Sequence, residues 1–281
     1  MPKRRFFCLR GFMKSGTNWL SGLLSSHRDI GCYGEYHWQT LITELQFKFQ
    51  TLPIYQDLNH RAEARELFEN MVKECLIKKD SSSKVLGERT PHTLAPFVLT
   101  NVPYISIIRD GRDVLVSRAF HLHNYPEVHR LFERIPEMAE ENQHFLNDPW
   151  YFQKNPEKLL SHEVLVQESV NWWKSHLEQD RATCAQHPEV PVKFVHYEAL
   201  HQDVERYRRE LFEFLDVDPS RCSDIQGHLK PGFSQERPRD FLRKGQVGDW
   251  RNYFTDDTKT WFKEIGGQEL IHQGYEDSLD W

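Results

Sequence analysis

The run Gly11-Phe12-Met13-Lys14-Ser15-Gly16-Thr17-Asn18-Trp19 sets a lysine and several short polar side chains between an apolar, strand-like segment and the start of a helical pattern. A strand-to-helix junction of this composition suits an anion. Backbone N–H groups at a helix start lack partners within the helix and lie along its dipole, so they attract phosphate oxygens. Gly16 lets the backbone come close to a ligand. Ser15, Thr17 and Asn18 would equally serve an ordinary helix cap. In the usual nucleotide P-loop, Lys follows the last Gly directly and is itself followed by Ser or Thr. Here Thr17 follows Gly16, and Lys14 precedes it by two residues. The Mg²⁺ and γ-phosphate geometry of an ATPase is therefore not reproduced.

Two further segments have the chemistry of anion receptors. In Ile107-Ile108-Arg109-Asp110-Gly111-Arg112-Asp113-Val114-Leu115-Val116-Ser117, an arginine ends a strand-like run and a serine returns eight residues later on a helical pattern. A guanidinium fork with a hydroxyl is a good receptor for a phosphate monoester. The same Arg and Asp residues would also make plain surface ion pairs, and Asp110 or Asp113 would cap the helix. In Phe241-Leu242-Arg243-Lys244-Gly245-Gln246-Val247-Gly248-Asp249-Trp250, two adjacent cations precede two glycines. A loop of this kind can fold amides and cations around one anion, or be a basic turn.

These loops need a scaffold, and the pattern supplies one. Phe6–Leu9, Lys84–Gly87, Tyr104–Ile108 and Val192–Val195 read as strands. Asn18–Ser25, Arg61–Lys78, Asp110–Phe120, Val166–Glu178 and Asp203–Leu215 read as helices. The 61–78 helix is expected to bury Ala64, Leu67, Phe68, Met71 and Cys75. Trp172 and Trp173 read as core. Strands separated by helices predict an α/β fold with a central parallel β-sheet flanked by helices. Residues 36–60 and 121–161 fit this pattern poorly and read as excursions above the strand ends, where parallel sheets carry ligands. The whole chain, 1–281, reads as a single domain.

The formal net charge of -6 argues against a nucleic-acid binder, which needs a broad basic face. Five scattered cysteines without a CxxC fit a reducing compartment. No stretch approaches the ~18 apolar residues of a membrane span. A cytoplasmic protein without stable membrane insertion is expected.

Together the three loops resemble the PAPS-dependent sulfotransferases, particularly the cytosolic type. KSGTNWL is similar to that family's 5′-phosphosulfate loop, IIRDGRDVLVS to its 3′-phosphate motif, and FLRKGQVGDWRNYFT to its C-terminal RKGxxGDW segment. The resemblance runs from about Phe6 to Phe254 and implies a P-loop NTPase-like sulfotransferase fold. It implies sulfuryl transfer from 3′-phosphoadenylyl sulfate (PAPS) to a hydroxyl or amine acceptor, releasing PAP, with no metal required. On this match Lys14 stabilises charge on the leaving phosphate oxygen, and Ser15, Gly16, Thr17 and Asn18 cradle the 5′-phosphate. Trp19 stacks on adenine, with Tyr197 and Phe233 beside it. Arg109, Ser117, Arg243, Lys244 and Gly245 hold the 3′-phosphate. For both Trp19 and Tyr197, ordinary core burial is the competing reading.

The base is less determined. Gly87-Glu88-Arg89-Thr90-Pro91-His92-Thr93 departs from the family's KTH-like segment, since Pro91 stands where the histidine would be and His92 comes one residue late. The stretch is also similar to the EKTP segment of glycan sulfotransferases. On that match Glu88 is the base and Arg89 replaces a sulfate-contacting lysine. Glu88, His92 and a histidine of the His121–His129 segment remain candidates, and Glu88 would otherwise be a structural ion pair. The histidines of 121–129 fit no usual zinc spacing. The acceptor is a small molecule or a glycan- or lipid-like alcohol or amine. The family's short dimer motif would fall near Arg251–Thr260, where Thr255 fits but Asp256 and Thr260 do not, so the oligomeric state stays open. The competing functions are a P-loop nucleotide phosphotransferase of the adenylylsulfate-kinase type and a non-catalytic nucleotide-binding protein.

Overall fold

A computed structural model describes residues 4–128, 131–232, 236–240 and 242–281. In chain order the elements are β1 (Arg5–Gly11), α1 (Thr17–Leu24), β2 (Ile30–Tyr33), α2 (Trp38–Thr51), α3 (Leu58–Lys79), β3 (Val85–Arg89), β4 (Tyr104–Ile108), α4 (Gly111–Asn124), α5 (Leu131–Arg134), α6 (Pro136–Asn147), α7 (Tyr151–Lys154), α8 (Glu163–Gln186), β5 (Val192–His196), α9 (Tyr197–Gln202), α10 (Val204–Phe214) and α11 (Asp256–His272). The chain divides into two compact units, one of residues 1–108 and 177–229, the other of residues 109–176 and 230–281.

The first unit holds a five-stranded sheet in the order β2-β3-β1-β4-β5. Every pairing is parallel. Side chains alternate across a strand, so the apolar run of β1 serves both faces. Phe7 and Leu9 join Leu20, Leu23 and Leu24 of α1, Ile105 and Ile107 of β4, and Leu211 and Phe212 of α10 in one cluster. Cys8 joins Leu86, Tyr104, Ile42 of α2, and Phe68, Val72 and Leu76 of α3 in the other. The sheet is therefore covered on both sides, as a parallel sheet requires.

All four expected strands are present. One was missed: β2, whose four residues Ile-Gly-Cys-Tyr are too short and too glycine-broken to show a period. The expected face of α3 is corrected. Its buried residues are Phe68, Glu69, Val72 and Leu76, whereas Leu67 and Met71 are 71% and 41% exposed. The stripe is an i, i+4, i+8 row, and the apolar residues beside it misled the sequence reading. Residues 36–60 are mostly helical. The buried residues of α2 are Gln39 and Ile42, so the helix had no apolar stripe to read.

In the second unit, Phe120 of α4 meets Phe145 of α6, Phe152 of α7 and Tyr253 edge-on, with centroids 5.6–6.2 Å apart. Trp173 of α8 is buried, but Trp172 is 48% exposed, so the expected tryptophan pair is half core. Thr255 caps α11 by accepting from the Thr258 N–H. Among the described residues, no helix is long and apolar enough to cross a membrane.

Glycine is required at one sheet position. Gly87 on β3 lies in register with Phe7 on β1. A Cβ at Gly87 would fall 2.1 Å from the Phe7 ring. Gly87→Ala should therefore cost about 1–3 kcal/mol by overpacking, read as a lowered urea midpoint. Combined with Phe7→Leu, the penalty should be clearly less than the sum of the two single changes.

Candidate functional site

In a parallel sheet every strand ends at the same edge. In the first unit this edge gathers the segment after β1 (Lys14 to Trp19), the segment after β2 (Glu35 to Trp38), the segment after β3 (Thr90 to Thr93) and Tyr197 after β5. Gly16 precedes α1 with φ 99°, in the left-handed region. A Cβ there would meet the Tyr197 ring at 2.7 Å. Glycine is thus demanded twice, by backbone and by space. Lys14 also has positive φ, 66°. Ser15 is 1% exposed, and its Oγ has no hydrogen-bond partner among the described residues. A buried hydroxyl left without a partner costs free energy, and an anion seated at the start of α1 would supply an acceptor. Thr17 is buried and Asn18 half-buried in the first turn of α1.

Trp19 and Tyr197 do meet, edge to face, with centroids 5.2 Å apart and planes at 61°. Trp19 Nε1 donates to the Leu229 carbonyl at 2.8 Å, which fixes its ring. It remains half-buried, while Tyr197 is 5% exposed. Phe233 lies outside the described residues, as does His129.

Glu88 is wholly buried and ion-paired at 2.6 Å with Arg10, which is also wholly buried. Its other oxygen accepts from the Thr90 hydroxyl. Arg10 Nη1 also reaches the Leu9 carbonyl at 2.9 Å. The Gln39 amide, oriented by these bonds, accepts from Arg10 Nε at 2.6 Å and Nη2 at 2.7 Å. Burial alone would penalise the guanidinium, but Glu88 beside it outweighs this and holds its pKa above the ordinary arginine value. The cation that pairs with Glu88 is therefore Arg10. Arg89, in turn, pairs with Glu35 at 2.7 Å. Sequence reading missed Arg10 because a charged residue after Phe-Phe-Cys-Leu looked like the strand's end. The available signal was an Arg near the end of one apolar strand and a Glu near the end of another.

His92 is half-buried, and its Nδ1 lies 3.1 Å from the Thr93 hydroxyl. Burial pushes its pKa below the ordinary 6.5. Asp180, missed from sequence, secures the segment after it. Its carboxyl accepts from the Leu94 N–H at 2.7 Å and the Ser106 hydroxyl at 3.3 Å. Burial pushes the Asp180 carboxyl up to about 7.

The second unit carries the other two loops. Asp110 caps α4, accepting from the Arg112 N–H at 2.9 Å. Asp113 instead reaches the basic loop, accepting from the Gly248 N–H at 2.7 Å and the Trp250 N–H at 2.9 Å. Arg109 Nη2 donates to the Gln246 carbonyl at 3.0 Å. The two segments expected to share the 3′-phosphate are thus bound to each other. Ser117 is half-buried on α4. Arg243 pairs with Glu236 and Asp249, and its guanidinium lies 4.2 Å from the Phe120 ring centroid. Lys244 pairs with Asp249 at 2.6 Å. Burial raises the Asp249 pKa, but Arg243 and Lys244 bring it below the ordinary value. Gly245 has φ 64°, which turns the chain after the two cations. Among the described residues, no three His, Cys, Asp or Glu side chains are grouped to hold a metal ion.

A parallel sheet covered on both faces, with a glycine-bearing loop between β1 and α1, is the class of α/β fold in which ligand sites form at the strand ends. The sulfotransferase domain family matches residues 6–274, and the chain belongs to it. Mouse Sulfotransferase 1B1 is 25% identical over 200 residues, spanning 64% of this chain and 58% of its own length. The match therefore covers little more than half of that relative. A flavonol sulfotransferase-like protein of Flaveria bidentis is 23% identical, across 97% of this chain and 83% of its own. Among solved structures, the sulfotransferase domain from the curacin biosynthetic pathway superposes with a TM-score of 0.50 at 15% identity, covering 95% of this chain and 97% of that one. That last likeness is one of fold.

The Arg10–Glu88 pair makes a stability prediction. Glu88→Gln keeps the shape but leaves a buried guanidinium uncompensated, which should cost about 3–5 kcal/mol. Denaturant unfolding at neutral pH would read the loss. An unchanged midpoint would remove the structural role of the pair.

Proposed function

We propose that this sulfotransferase-family protein moves a sulfuryl group from PAPS to the hydroxyl or amine of a small-molecule, glycan- or lipid-like acceptor and releases PAP. The observation that carries the reading is the β1–α1 loop. Gly16 sits in the left-handed region against Tyr197, and Ser15 holds a buried, unpartnered hydroxyl at the start of α1. The phosphotransferase alternative is not favoured by the family match, and the displaced Lys14 argues in the same direction.

In this reading the acceptor oxygen or nitrogen attacks sulfur in line, and the bond from sulfur to the 5′-phosphate oxygen breaks. The leaving oxygen gains negative charge, which Lys14 and the N–H groups of Gly16 to Asn18 offset. Trp19 and Tyr197 flank the adenine. Arg109, Ser117, Arg243, Lys244 and Gly245 are assigned to the 3′-phosphate by their match to the family's motifs. The acceptor's proton needs a base. Glu88 is a poor choice, since both its oxygens are engaged and it has no exposed surface. His92 suits the role better, because it is partly accessible and burial keeps its imidazole neutral near pH 7. Arg89, at the end of β3, and Glu35, after β2, pair with each other and are assigned to the acceptor side. The stacked Tyr36 and Trp38 rings, 5.4 Å apart, offer that side an aromatic surface.

Isothermal titration and turnover assays test the donor. PAP should raise the melting temperature without added Mg²⁺. Lys14→Ala should lower turnover about 10²–10³-fold while PAP still binds; unchanged turnover would sink its role. The pH profile tests the base. A depressed imidazole pKa means that activity falls only as pH drops below the ordinary 6.5, so the acid limb should lie below that value. His92→Ala should abolish that limb and cost about 10²–10⁴-fold in kcat, with PAP affinity retained.

A further inference from the structure

The family match ends at residue 274, yet the chain continues through Glu276 to Trp281. These last residues meet a buried arginine. Arg112, in the first turn of α4, is 2% exposed. Its Nη2 pairs with Asp110 at 2.7 Å, and its Nη1 pairs with Glu276 at 2.5 Å. Its guanidinium carbon lies 4.1 Å from the Trp250 ring centroid and 4.5 Å from that of Trp281. The two rings themselves meet edge to face at 5.5 Å. Lys263 of α11 lies 4.8 Å from the Trp281 centroid, and Phe262 meets the same ring at 5.9 Å.

Trp250 is not an isolated core residue. Its N–H and that of Gly248 are both held by Asp113, the residue next to Arg112. Between them stands Asp249, which pairs with Arg243 and Lys244. The Trp250 ring and the Asp249 carboxylate thus leave one short stretch of backbone that Asp113 holds. Planar guanidinium and indole faces lock in one arrangement better than aliphatic packing does. The Glu276 carboxylate completes the hydrogen bonding of Arg112 and keeps its charge paired in a buried site.

We propose that Glu276 and Trp281, acting through Arg112 and Trp250, are positioning residues that set the 243–250 turn for the donor's 3′-phosphate. The inference rests on the assignment of Arg243, Lys244 and Gly245 to that phosphate. It predicts an effect on recognition of the 3′-phosphate and none on the 5′ end. Calorimetric titration with PAP and with adenosine 5′-phosphate separates the two. The wild-type protein should bind PAP more tightly than adenosine 5′-phosphate. Trp281→Ala should reduce that preference about tenfold and leave adenosine 5′-phosphate affinity unchanged. Trp281→Phe, which keeps a ring over Arg112, should recover most of it, and Glu276→Gln should give a smaller loss than Trp281→Ala. Should Trp281→Ala keep the full preference, or lose both ligands equally, the positioning role is overturned. A wild-type protein with no preference for PAP would instead overturn the donor assignment on which the inference stands.

Discussion

The first unit is organised around a charge pair that water does not reach. Arg10 on β1 faces Glu88 on β3 at 2.6 Å, with both side chains fully buried. The net stabilisation of such a pair is small, because desolvating both ions nearly cancels their attraction, but losing either partner alone is costly. Its larger effect is on register. A one-residue slip of β3 against β1 would send Glu88 to the opposite face of the sheet and strand Arg10 among apolar side chains. The pair thereby fixes the relative height of two strand ends. One of those ends leads into the Lys14–Trp19 loop, and the other into Arg89 and His92.

The two units handle anion chemistry differently. In the β1–α1 loop the proposed receptors are backbone N–H groups, the Ser15 hydroxyl and a single lysine. In the 243–250 turn the cations are already paired with Glu236 and Asp249. A ligand phosphate there competes with carboxylates for the same hydrogen bonds.

Much of this was legible beforehand. The strands β1, β3, β4 and β5 are dense in apolar and β-branched residues, and the loops after β1 and β4 carry residue types suited to an anion as well as to a helix cap or an ion pair. The sequence also showed that the lysine is displaced relative to a nucleotide P-loop. What stayed hidden depended on long-range partners. Glu88 read as a candidate base because nothing in Gly-Glu-Arg-Thr shows that Arg10, 78 residues earlier, would claim it. Asp180 lies just beyond the expected Val166–Glu178 helix, and its bond to the Leu94 N–H depends on tertiary packing. The 38–51 helix was hidden for a related reason: its buried residues are Gln39 and Ile42, one of them polar, so apolar periodicity had no purchase on it.

That polar contact also determines how the helix moves. Arg10 gives two hydrogen bonds to the Gln39 carbonyl at one end of α2, whereas Leu41, Phe47 and, just beyond the other end, Leu52 and Ile54 are exposed. Full burial on α2 is thus concentrated near its start, at Gln39 and Ile42. Amide hydrogen exchange along α2 would follow this gradient: slow near Ile42, and progressively faster toward Thr51 and the turn after it.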